Sequence, residues 1–261
     1  MRGVALPRPV AWRGDRTALS VAVSLAFIGA AVPCGIKGVE SVTAADYPTA
    51  TIALAAGAAL VLLAGTLALV AVAQSITPLI KEEHDATLLL PDRKVQVLYR
   101  ASFLTGVTST ALFAILVPLR KTSFHLSEGG YTFYPIWAGV IAVLLLIPLV
   151  RSLRREGMCY VHLTVSGIKL DDGYSSFESR WTDIKKVADS TPKSKGRRLI
   201  VFNLADDTTR SFNATGMFTP GGVALYWMIR HYWKHPEDRA ELADGRALDR
   251  LRDERFDTTV P

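Results

Sequence analysis

The sequence predicts a membrane α-helical bundle of four transmembrane helices followed by a small cytoplasmic α+β domain, and three observations carry that reading. Four stretches, 17–35, 51–73, 101–119 and 132–150, contain no Asp, Glu, Lys, Arg or His. Each matches the roughly 20 helical residues that cross the hydrocarbon core of a bilayer. Past residue 155 the apolar residues stop running together and begin to alternate, which is the period of a half-buried strand. Near the end, Leu225, Met228, Ile229, Tyr232 and Trp233 recur at helical spacing and make one broad apolar stripe.

The leader, 1–16, is basic, with Arg2, Arg8, Arg13 and Arg16. The first apolar run is longer than the core of a secretion signal, and Pro33 directly before Cys34 opposes processing there, so it is read as a retained span. The net charge of +6 would suggest nucleic-acid binding in a soluble protein. Here its distribution matters more. The leader, the second connection and the segment after the last run hold eleven Lys and Arg, against three on the other side. That asymmetry predicts an inner-membrane protein with both termini cytoplasmic. Tyr47, Tyr131, Tyr134 and Trp137 then read as outer-interface anchors, and Trp12 and Tyr99 as inner ones. An excess of Arg over Lys and abundant Ala point to a high-GC bacterial source.

Within the helical region, 17–155, two stripes of small residues stand out: Ala18, Ala22, Ala26 and Ala30 in the first run, and Ser102, Gly106, Thr110 and Ala114 in the third. Small residues let helix backbones approach closely in lipid. The rows predict helix packing, by ordinary contact inside the bundle or by formation of a homo-oligomer. Ionisable residues, which proton relays and ion pathways place within the membrane, are missing from all four runs. Ser and Thr hydroxyls are expected to bond back to their own helices. Cys34 and Cys159 read as apolar fillers on opposite sides of the membrane, with no disulfide between them.

The second connection, 75–100, reads as a loop with a short apolar patch at Leu88–Leu90. Its Glu82, Glu83, His84 and Asp85 are ligand-type residues, but sequence neighbours point in different directions, and a solvated acidic turn accounts for them better than a metal site.

The tail alternates clearly. Val161, Leu163 and Val165 share a face, Ile168 and Leu170 continue after a turn, and Asp171–Tyr174 is a strong turn signal. Phe177 and Trp181 follow on one strand, Ile184 opens the next, and Ile200, Phe202, Leu204 and Phe212 belong to a further hairpin. Thr219 is predicted to cap, and Pro220 to open, a helix running to Lys234. Beyond it, 237–261 is charged, with one short helix opened by Pro236 and ended by Asp244-Gly245, and a second carrying Leu248 and Leu251.

Three features of this tail, the strand turn Gly167-Ile168, the corner Trp181-Thr182-Asp183-Ile184 and the closing helix, are similar to the bacterial pleckstrin-homology-like (PH-like) domains that are often fused to membrane spans. The resemblance covers 157–236, under a third of the chain. It implies a small β-barrel or sandwich of seven strands closed by a C-terminal helix. Six strands are read in the tail, and the seventh is sought within Ala188–Lys195. Gly167, Trp181, Asp183 and Ile184 are expected to be structural, with Trp181 in the core and the Asp183 carboxylate bonding backbone N–H groups of its turn.

The run 185–198 holds Lys185, Lys186, Lys193, Lys195, Arg197 and Arg198, opposed only by Asp189. Lys193, Lys195, Arg197 and Arg198 are expected to crowd one hairpin tip. By the resemblance, such a tip contacts the headgroups of anionic membrane lipids, or a protein partner on the cytoplasmic side. Aromatic residues do not interleave with this charge as nucleic-acid stacking would need. His231 and His235 have a metal-capable spacing but no third ligand, and read as interface histidines. No nucleophile–base pair, phosphate loop or metal cluster with diagnostic spacing is present, so neither catalysis nor a cofactor is expected. The expected function is a membrane-anchored binding or scaffold module. The alternative is a small transport or channel component regulated by its tail.

Overall fold

The computed structural model describes residues 6–12, 17–72, 78–83, 86–154, 159–173, 175–191 and 198–258. The chain divides into two compact units. One is helical, Thr17–Leu69 with Lys94–Arg155; the other joins Met1–Arg16, Val70–Arg93 and Glu156–Pro261.

The helical unit contains α1 (Thr17–Thr43), α2 (Tyr47–Val72), α3 (Arg93–Leu116, of which all but Arg93 falls in this unit) and α4 (Gly130–Arg154). Three of them, α1, α2 and α4, are long and apolar enough to cross a membrane. The third apolar run differs from the other three for a visible reason. Its helix begins at Arg93, so that Lys94 and Arg100 lie inside it, and it ends three residues short of Leu119. It also carries Ser102, Thr105, Thr108, Ser109 and Thr110.

α3 packs against α2 and α4. The Ser109 hydroxyl donates to the Ile52 carbonyl (2.9 Å), and a Cβ added to Gly106 would lie 3.2 Å from Leu145 Cδ1 and 3.8 Å from Ala59 Cβ. Ser102 and Gly106 are buried, and Thr110 and Ala114 half-buried, so this stripe faces neighbouring helices. The stripe on α1 does not: Ala18, Ala22, Ala26 and Ala30 are exposed. α1 meets α2 instead through Ser24, whose hydroxyl is 3.2 Å from the Ala64 carbonyl, through Ala31, and through Gly38, where Leu54 fills the place of a side chain. A row spaced by four drifts about 40° around the helix at each step. A row spaced by seven drifts only about 20°, and 24, 31 and 38 form such a row. Thr66, Thr105 and Thr110 donate to the carbonyls four residues back, at 2.8, 2.9 and 2.8 Å. In the α1–α2 turn, Asp46 accepts from the hydroxyl and N–H of Ser123 and from the Thr49 N–H. These bonds, Ser123 first, hold its carboxyl down at about 2.

The other unit contains two antiparallel sheets. The first has five strands in the order β1 (Leu79–Glu83), β2 (Ala86–Leu90), β3 (Tyr160–Thr164), β4 (Gly167–Asp171) and β5 (Ser176–Arg180). The second has β6 (Ile184–Ala188), β7 (Ile200–Leu204) and β8 (Thr209–Phe212). The 75–100 connection is therefore not a simple loop. It contributes a hairpin, closed at the Glu83–Ala86 pair, whose second strand pairs with the tail in the register Leu89 to Val161. β2 is buried along its whole length, and the Thr87 hydroxyl donates to the Leu242 carbonyl (2.7 Å). The tail supplies six strands, and two more come from 79–90; of the stretch Ala188–Lys195, expected to hold a seventh, residues 192–195 lie outside the described residues. The side chains of Glu82 and Glu83, and all of His84 and Asp85, lie outside the described residues.

The chain passes from one sheet to the other through a 3-10 turn at Trp181–Asp183. α5 spans Val223–Lys234, shorter than the expected 219–234. Gly221 (φ 64°) and Gly222 (φ 78°) break the chain after Pro220, because left-handed residues cannot continue a right-handed helix. Thr219 still accepts the Leu225 N–H on its hydroxyl, at 3.4 Å. After α5, a 3-10 turn at Pro236–Ala240, α6 (Glu241–Asp244) and α7 (Arg246–Arg252) fold back onto the unit. Leu242, Ala247, Leu251 and Phe256 join one core with Val161, Phe202 and Tyr232. The charged end is thus part of the fold rather than an appendage to 157–236.

Candidate functional site

The best-defined binding features lie around the β6–β7 connection. In a regular strand, Lys185 and Lys186 would point to opposite faces. The register shifts between Ile184 and Lys186, and this bulge leaves both lysines exposed between buried Ile184 and Val187. Lys186, Asn203 and Thr209 then form a row across the three strands. A recess of about 850 Å³ opens over them, lined also by Lys185, Ser190, Thr191 and Asp207. Asp207 pairs with Lys185 at 2.7 Å, which leaves Lys186 as the lysine of the recess with no ion-pair partner among the described residues. Of the four residues expected at the hairpin tip, Arg198 is placed just before β7; Lys193, Lys195 and Arg197 lie outside the described residues.

A second recess, of about 540 Å³, lies over β3, β4 and β5 and is lined by His162, Thr164, Ser166, Lys169, Glu178 and Arg180. Lys169 and Glu178 pair at 3.2 Å. Its charge is mixed, so it has less preference for anions than the recess on the other sheet.

The corner residues are structural. Trp181 is 2% exposed. Its indole donates to the Thr164 carbonyl at 2.9 Å, and the Arg239 guanidinium lies 5.2 Å from its ring centre. A Cβ on Gly167 would lie 2.5 Å from the Ser179 carbonyl oxygen, so close pairing of β4 with β5 requires glycine there. Ile184 is buried. Asp183 departs from expectation. Its carboxylate accepts from the neighbouring Thr182 hydroxyl (3.2 Å), and the backbone bond at this corner runs from the Ala205 N–H to the Asp183 carbonyl (2.8 Å).

The two histidines stack at 4.7 Å between ring centres. His231 is buried and shares a 2.8 Å hydrogen bond with Asp238. Burial and the Arg250 charge push its pKa down, against Asp238. The hydrogen bond with Glu237, at 3.0 Å, raises that of His235. No group of three or more metal-ligand side chains gathers among the described residues. Cys34 and Cys159 are both free, Cys34 in the helical unit and Cys159 in the β-rich one. Burial drives the Cys159 thiol far above its ordinary pKa.

One feature was hidden in the sequence. Leu6–Trp12 runs along a groove between α5 and the base of the β6–β7 connection. Trp12 is 5% exposed, so it is not an interfacial membrane anchor. Its indole N–H lies 2.9 Å from the Asp189 carbonyl and 3.2 Å from that of Leu199, and its ring meets Tyr226 edge-on at 5.5 Å. The Ala11 N–H donates to the Asp189 carboxylate (2.9 Å), and the Trp227 indole donates to the Pro7 carbonyl (2.8 Å). The signal available was a Trp in a proline-containing leader, which reads equally well as a membrane anchor.

No protein-family model, curated protein or solved structure matches the chain.

Proposed function

We propose that this chain is an integral membrane protein with four spans and cytoplasmic termini, displaying a PH-like module whose basic β6–β7 hairpin contacts anionic lipid headgroups. The observation that carries this reading is the lysine-lined recess at the base of the most basic connection in the chain, on a chain that also holds three membrane-capable helices. The PH-like assignment draws support from two antiparallel sheets, of five and three strands, followed by α5. A binding role, rather than transport, is supported by the interior of the helical unit. There the hydroxyls of Ser24, Thr66 and Ser109 are engaged by backbone carbonyls.

The test uses the full chain held in neutral nanodiscs and mixed with vesicles in trans. Each basic residue near an anionic surface contributes about 1 kcal/mol. Replacing Lys193, Lys195, Arg197 and Arg198 by Gln should therefore weaken co-sedimentation with phosphatidylserine vesicles by at least roughly a hundredfold. Raised salt should weaken it as well, and neutral vesicles should not bind. Equal binding to neutral and anionic vesicles would sink the lipid reading.

A further inference from the structure

The groove filled by Leu6–Trp12 has the chemistry of a peptide-binding site. The segment reads LPRPVAW. Pro7 and Pro9 fix their backbone angles and lack N–H groups; the chain turns after Pro9, where the Trp12 N–H donates to the Pro9 carbonyl (3.0 Å), and the Pro7 carbonyl is left for the groove. The groove answers with an aromatic donor, the Trp227 indole, on the Pro7 carbonyl, an acceptor, the Asp189 carboxylate, for the Ala11 N–H, and a pocket for one large side chain, Trp12. Hydrogen bonds to main-chain atoms with one or two side-chain pockets are how proline-rich segments are recognised by aromatic-lined grooves. These partners lie up to 220 residues away in sequence, and Trp12 packs into the same core as Tyr226 and Trp227, with Leu6 against it.

The same wedge between α5 and the end of β6 holds Arg230, which is 6% exposed. Its Nη1 is 3.5 Å from the Val187 carbonyl and 3.4 Å from the Tyr226 hydroxyl, while its Nε and Nη2 have no hydrogen-bond partner among the described residues. A buried guanidinium with unanswered N–H groups calls for an acceptor.

We propose that this groove binds a proline-containing segment of a partner protein that turns at its proline, with a large aromatic side chain three residues after it and a carbonyl or carboxylate for Arg230, and that Leu6–Trp12 is its built-in competitor. The site is separate from the proposed lipid contact and does not depend on it.

The test compares the wild-type chain with one whose residues 6–12 are replaced by a Gly/Ser linker of equal length, both in nanodiscs. The probe is a fluorescent peptide with the sequence of Leu6–Trp12. A tethered competitor at millimolar effective concentration should make the peptide bind the wild type about tenfold or more weakly than the replaced chain. Trp227→Phe in the replaced chain should weaken binding about fivefold, the loss of one hydrogen bond, and a peptide with Ala for Trp12 should not bind. A replaced chain that resists proteolysis as the wild type does, yet ignores the peptide, would overturn the proposal, because the segment would then be part of the core. If the replaced chain does not fold, a protease site placed at 13–16 of the otherwise native chain decides. Exchange of the cut leader for labelled peptide supports the proposal, and its retention against excess peptide overturns it. A dimer of the wild type that is lost on replacing 6–12 would give the groove to the leader of a second copy and overturn the partner assignment.

Discussion

The two units bury opposite kinds of residue. In the helical unit the buried positions are mostly small, among them Ser24, Ala31, Ala53, Ala64, Ser102 and Ser109, while Leu144, Ile136 and Trp137 stand 60, 61 and 54% exposed. In the β-rich unit Phe202, Phe218 and Tyr232 are fully buried. Burying large apolar groups away from water is the main force holding a water-facing domain together. Between helices in lipid that force is absent, because the chains outside are as apolar as leucine, and close approach through small residues takes over. The contrast is the one expected between a lipid-facing and a water-facing unit, and it comes from packing rather than from the hydropathy that picks out the helices.

The largest effects should separate the units by side-chain size. Phe202→Ala removes a fully buried ring that also meets Phe177 at 5.3 Å. It should destabilise the β-rich unit by about 3–5 kcal/mol. Leu144→Ala, at a position 60% exposed, should change stability by no more than about 0.5 kcal/mol in a bilayer. Unfolding in nanodiscs, followed by tryptophan fluorescence and limited proteolysis, measures both. Comparable losses from the two changes would break the contrast.

Enlargement should have the reverse pattern. Gly106→Leu pushes a side chain toward Leu145 and Ala59, and overpacking of that kind costs about 1–3 kcal/mol. Gly65→Ala, on α2 where a Cβ meets nothing within 4 Å, should stabilise its helix by about 0.5–1 kcal/mol. Thermal unfolding of the reconstituted helices gives both values. A neutral Gly106→Leu would mean that α3 does not pack closely between α2 and α4.

These contrasts also explain which parts of the fold were legible in sequence. Absence of charge exposed the four helices, but not their ends: α1 continues to Thr43 past Lys37 and Glu40, which pair at 3.8 Å. Alternation exposed the tail strands, most plainly β3, where Val161 and Leu163 are buried between half-buried neighbours. It could not expose β2, which is buried on both faces and therefore does not alternate, and whose partner β3 lies some 70 residues later. At the candidate site, the basic composition of the connection was plain, yet the exposure of both Lys185 and Lys186 depends on a bulge, and register is set by pairing rather than by the local sequence. Trp12 was misread because its pocket is made by residues near the other end of the chain.

The smallest predicted effect concerns pH near neutrality and lies in the β-rich unit, where buried polar groups pack beside aromatic rings. His231 and His235 are shifted in opposite directions. Burial lowers the folded pKa of His231, so below about 6.5 the unfolded chain takes up that proton first, and stability falls as pH drops toward the folded value. Glu237 raises the folded pKa of His235. Its contribution is fully present below about 6.5 and is lost as pH rises through the folded value. The two contributions oppose each other on acidification from pH 7.5 to 5.5. His235→Gln removes the gain and leaves the loss, so the melting temperature of the variant should fall more steeply over that interval than that of the native chain. A shallower fall would mean that His231 takes up its proton in place, drawing on the 2.8 Å bond to Asp238 despite the opposing charge of Arg250.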